Sequence, residues 1–75
     1  MATTRVVTPE DAMALETLID RTSVSAVLES LGEICSEKAE HIRENWQDTQ
    51  LARDWDAMAL QMGLAHRAIA RLEGR

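Results

Sequence analysis

The chain has 75 residues, one cysteine and a formal net charge of -5, with 13 acids against 8 Lys and Arg. That balance argues against nucleic acid as a direct ligand, since phosphate neutralisation needs clustered bases, and a lone cysteine excludes an internal disulfide. A core of this size seldom supplies more than ~3–5 kcal/mol, which leaves self-association as the expected support.

Met1–Val7 has no hydrophobic period and reads as a frayed tail, with Val6 and Val7 clipping onto the core. Met1–Pro9 is polar and lacks the apolar run of a leader. No segment reaches the ~18 apolar residues of a membrane span. Together with the single cysteine this makes a cytoplasmic setting the expectation.

The first helix is predicted over about 9–20. Thr8 can cap it, Pro9 suits the first helical position, and Glu10 and Asp11 complement the positive end of the dipole. Ala12, Leu15, Leu18 and Ile19 share one side, with Met13 at its edge. A helix this short needs something to lie on.

Ser23 or Thr22 caps the second helix, predicted over about 24–46. Its apolar positions are Val24, Val27, Leu28, Leu31, Ile34, Cys35, Ala39, Ile42 and Trp46. The adjacent pairs Val27/Leu28 and Ile34/Cys35 widen the stripe beyond one seam, so this helix should be central and contacted on two sides. The third helix, about 49–73, carries Leu51, Trp55, Met58, Met62, Ala65, Ile69 and Leu72 at alternating steps of four and three. That is a heptad seam, a core or dimer surface. Extended backwards, the same phase falls on Asp48, Glu44, His41 and Glu37, all polar. The chain therefore turns near Asp48 into an antiparallel hairpin, although no Gly or Pro marks the turn. Such a turn sets Ile42 level with Trp55, Cys35 with Met58 or Met62, and Leu28 with Ala65 and Ile69. Gly32 and Gly63 then face each other for close approach, and Arg67 and Arg71 come near Glu29.

On the outer face of the second helix, Glu29, Glu33, Glu37, Glu40 and Glu44 recur at three- and four-residue spacing, a repulsive arrangement costing ~0.2–0.5 kcal/mol per pair. A basic protein partner would offset it, and Trp46, if exposed, would anchor the same surface. Glu33, Glu37 and His41 are candidate metal ligands, one turn apart, but a single helix supplies too few donors and the Glu-x-x-His spacing of bundle carboxylate sites is absent. Cys35 lies on the apolar stripe as a small hydrophobe. No nucleophile–base pair, phosphate loop or cofactor signature is present, so no catalytic residue, cofactor or enzymatic activity is expected. Arg67, Arg71 and Arg75 form a basic column whose DNA-binding reading the overall charge disfavours. The stretch EKAEHIRENWQD, Glu37–Asp48, resembles segments of small bacterial and mobile-element helical proteins, and this likeness implies a bacterial origin but no activity, ligand or site residue.

The expectation is an all-α protein: a short N-terminal helix and a long helical hairpin, paired into a dimeric four-helix-bundle-like assembly. It acts as a non-enzymatic interaction module with an acidic face for a basic protein; the alternative is a metal-binding bundle.

Overall fold

A computed structural model describes residues 6–45 and 47–75. It contains three helices in chain order: α1, Pro9–Arg21; α2, Val24–Asn45; and α3, Thr49–Glu73. Helices α2 and α3 pack along their length as an antiparallel hairpin, while α1 touches α2 only lightly.

Local chemistry accounts for each helix start. The Thr8 side chain accepts the Asp11 N–H at 3.1 Å and Pro9 follows it. Ser23 Oγ accepts the Ala26 N–H at 3.0 Å. Asp48 accepts the Leu51 N–H at 3.0 Å. Each is an N-cap oxygen satisfying an otherwise orphaned donor. The turn is made by Gln47, whose φ of 53° is left-handed and whose N–H reaches back to the Ile42 carbonyl at 2.9 Å. A glutamine there costs roughly 1–2 kcal/mol, and the chain reverses without the glycine that usually signals such a turn.

Small side chains let the two long helices approach. On α2 the facing positions are Ser25, Leu28, Gly32, Cys35, Ala39 and Ile42; on α3 they are Ala52, Trp55, Ala59, Met62, His66 and Ile69. Cys35, Ala39, Ile42 and Ala52 are the buried hydrophobic residues among those described, and no large side chain is fully enclosed. A Cβ added at Gly32 would lie 3.6 Å from Met62 Cβ and 3.7 Å from the Ala59 carbonyl oxygen, which is ordinary contact across the interface.

Four expectations change. The α3 seam is rotated by one position. Trp55, Met62 and Ile69 belong to it within one copy, but Leu51, Met58 and Leu72 are 42%, 40% and 57% exposed. Ala52 and Ala59 take the first two places, because a close helix pair accepts small side chains where bulky ones would force it apart, and His66 faces α2 through its 2.8 Å contact with the Ser25 carbonyl oxygen. Gly63 makes no close approach, with nothing within 4 Å of a built Cβ. Glu29 meets His66 at 3.6 Å, and neither Arg67 nor Arg71 is paired with it. Val6 and Val7 are 77% and 64% exposed, so they do not clip onto the core.

Candidate functional site

At about 100° per residue, positions flanking the seam on α2 and α3 fall on two opposite sides of the hairpin. On one side α2 presents Val24, Val27, Leu31 and Ile34, and α3 presents Leu51, Met58 and Leu72. On the other α2 presents Glu29, Glu33, Ser36 and Glu40, and α3 presents Asp56, the 63%-exposed Leu60, Gly63 and Arg67.

The apolar side is only partly roofed by α1. A groove of about 200 Å³ separates Leu15 and Leu18 of α1 from Val27, Leu31 and Ile34 of α2. None of the α1 residues is buried, and Leu15, Leu18, Leu31 and Ile34 remain 39–45% exposed. Toward the turn, a second hollow of about 390 Å³ is lined by Ile34, Glu37, Lys38, His41, Ile42 and Trp55. There the Lys38 ammonium sits 5.5 Å from the centre of the Trp55 ring, a cation–π contact that holds the half-buried indole against α2.

The acidic side holds a groove of about 470 Å³. Leu28, Gly32, Ala59 and Gly63 lie in it, with Glu29, Glu33 and Glu37 along the α2 rim and His66 on α3. Glu29, Glu33, Glu37, Glu40 and Glu44 are all exposed, as expected of the ridge. Arg43 pairs with Asp56 across the hairpin nearer the turn, with both side chains half exposed. Trp46, the proposed aromatic anchor, lies outside the described residues.

His41 is engaged locally: the Asn45 side-chain amide donates to its carbonyl oxygen at 2.9 Å and lies 3.1 Å from its Nδ1. Glu33, Glu37 and His41 sit on successive turns of one helix. Among the described residues, no group of three or more His, Cys, Asp or Glu gathers to hold a metal ion. Nor is any described helix long and apolar enough to cross a membrane.

One site was missed entirely from the sequence. The carboxylate of Glu73, at the end of α3, closes the open end of the hairpin by capping α2. Its Oε2 accepts the Val24 and Ser25 N–H groups at 3.0 and 3.2 Å, and its Oε1 accepts the Ser25 hydroxyl. His66 Nδ1 lies 2.8 Å from the Ser25 carbonyl oxygen. A carbonyl only accepts, so that nitrogen carries the proton and Nε2 faces Glu29. The Ser25 hydroxyl above all, then the two backbone N–H groups and the charge of His66, hold the Glu73 carboxyl below its usual 4.5, against an opposing desolvation effect. A clue was present: the first turn of α2 contains no acid of its own, leaving its positive dipole end for a carboxylate from elsewhere.

No protein-family model, curated protein or solved structure matches this chain.

Proposed function

We propose that this chain is a non-enzymatic helical interaction module that works as a homodimer, pairing through its apolar face and presenting the acidic face of α2 to a basic protein partner. The observation that carries this reading is the amount of apolar surface a single copy leaves uncovered. The chain exposes 6275 Å² of polar and apolar surface together, about a third more than the ~4,600 Å² of a compact monomer of its 8.4 kDa mass. Its radius of gyration is 14.5 Å, against ~11 Å for a compact chain of this length.

Leu15, Leu18, Val24, Leu31, Ile34, Leu51, Met58 and Leu72 are 39–57% exposed. Their combined area is on the order of several hundred Å², comparable to the ~800 Å² each partner contributes to a standard interface. A second copy of the same face supplies matching apolar cover in a two-fold arrangement. Two hairpins joined in this way form a four-helix bundle with α1 at its margin. Pairing through the opposite face would set two rows of carboxylates against each other, so like-charge repulsion favours the apolar one and leaves both acidic faces outward.

Light scattering on the eluting protein tests this. The expected mass is twice 8.4 kDa, falling to the single-chain value when Leu31→Glu is combined with Met58→Glu. A wild-type chain that stays monomeric at concentrations of tens of micromolar sinks the homodimer.

A further inference from the structure

The groove on the acidic side is left open by the pairing proposed above. It runs between α2 and α3 and has an apolar floor in which two positions, Gly32 and Gly63, lack side chains. At Gly63 the space is open, with nothing within 4 Å of a built Cβ. Glu33 and Glu37 on its rim have no ion-pair partner among the described residues, and Glu29 has only the 3.6 Å contact to His66. A row of unneutralised carboxylates beside an empty apolar trough defines both the charge and the shape of what fits there.

We propose that this groove docks a basic amphipathic helix of another protein, with one apolar side chain seated over Gly63 and Arg or Lys side chains along Glu29, Glu33 and Glu37. The proposal deepens the reading of the acidic face as the partner-facing one and rests on it. A helix suits the site better than an extended segment. The hairpin offers no strand edge to satisfy an extended backbone, whereas the trough between two packed helices accepts the ridge of a third. Glu29, Glu33 and Glu37 step by one turn each and span ~12 Å along α2, so about two turns of the guest are engaged. Bases at matching four-residue spacing meet all three acids, and the chain's net charge of -5 steers such a guest toward it.

The probe is a synthetic amphipathic helical peptide with Leu on one face and Arg on both flanks, compared with a shuffled peptide of the same composition. Calorimetric titration of the full chain is expected to show one peptide per chain, with no saturable binding of the shuffled form. Gly63→Leu fills the trough from an unobstructed helical position and is expected to weaken binding by about tenfold or more, as when a hot-spot pocket is blocked. Glu33→Gln with Glu37→Gln, which leaves the trough empty, is expected to weaken binding and flatten its salt dependence. Equal affinity for wild type and Gly63→Leu overturns the docking site, as does equal affinity for the shuffled peptide, which would mean attraction by charge alone. The Leu31→Glu/Met58→Glu monomer is expected to bind the peptide at the same stoichiometry, because the groove lies within one hairpin. Loss of the dimer and loss of the groove are thus separate results.

Discussion

Leu31 and Ile34 stand 40% and 45% exposed on one side of the hairpin, with Leu51 and Met58 at 42% and 40% beside them on α3. On the other side the same two helices expose Glu29, Glu33 and Glu37 around a trough floored by Gly32, Ala59 and Gly63. The difference arises because α2 carries a stripe too wide for one neighbour: α3 takes Leu28, Cys35, Ala39 and Ile42, and the remainder of the stripe is displaced to one flank. The seam alternates small residues such as Gly32, Ala39, Ala52 and Ala59 with larger ones, and none of the larger side chains among the described residues is fully enclosed. Much of the apolar area of α2 is consequently left exposed on one flank, while the carboxylates lie on the other.

The sharpest way to break this comparison is to exchange sizes at neighbouring positions of α3, in the Leu31→Glu/Met58→Glu background. Ala52 is fully buried, and Ala52→Leu is expected to cost ~1–3 kcal/mol or more by overpacking the seam. Leu51→Ala, one residue earlier and on the exposed flank, is expected to cost less than the ~2–5 kcal/mol of a buried leucine. Urea melts of the two variants read the order directly. If Leu51→Ala proves the more damaging, the seam assigned here is wrong.

Next in size is the turn that brings the two faces into being. Asp48→Ala removes the side-chain acceptor for the Leu51 N–H and is expected to lower stability by ~1 kcal/mol, measured by the same melts. In the acidic trough, Gly63→Ala should instead stabilise by up to ~1 kcal/mol, since an exposed helical glycine gains propensity and meets no obstacle. A loss of stability at Gly63 would show that the trough is filled in solution.

The smallest effect expected is at the open end, where Glu73 caps α2. Its folded pKa is lowered from 4.5, chiefly by the Ser25 hydroxyl. A carboxyl shifted this way contributes stability above its unfolded value, and the contribution disappears as pH falls through the lower folded value. The loss therefore belongs below about pH 4.5 and not in the neutral range. Glu73→Gln is expected to flatten that acid limb and to speed hydrogen exchange at the Val24 and Ser25 amides. Unchanged exchange at both amides would show that the cap is not formed in solution.

Much of the candidate site was legible as composition along a helix. Glu29, Glu33 and Glu37 recur one turn apart whatever α2 packs against, so their common exposure follows from periodicity alone. The trough beside them was not legible, because it depends on Gly63 and Ala59 of α3 standing opposite, a matter of rotation about the helix axis. The Glu73 cap was hidden for a similar reason: its partners, Val24 and Ser25, lie 49 and 48 positions away.

The amino-acid order alone therefore determined three helices and the cap at Thr8, and narrowed the second cap to Ser23 or Thr22, because capping and hydrophobic period act over a few neighbouring residues; the hydrogen bonds of Ser23 and Asp48 are seen only in the folded chain. It also marked the change of phase between α2 and α3 that requires a reversal. Which side of α3 faces α2 was decided only in the tertiary structure. Two heptad rows, one through Leu51 and Met58 and one through Ala52 and Ala59, share Trp55, Met62 and Ile69 and are equally regular in sequence. Hydrophobicity favours the first row, but the folded hairpin turns the second toward α2, with Ala52 fully buried and the Ala59 carbonyl oxygen 3.7 Å from a Cβ built at Gly32. That steric choice places the leucines and Met58 on an open flank and leaves the trough beside the acids.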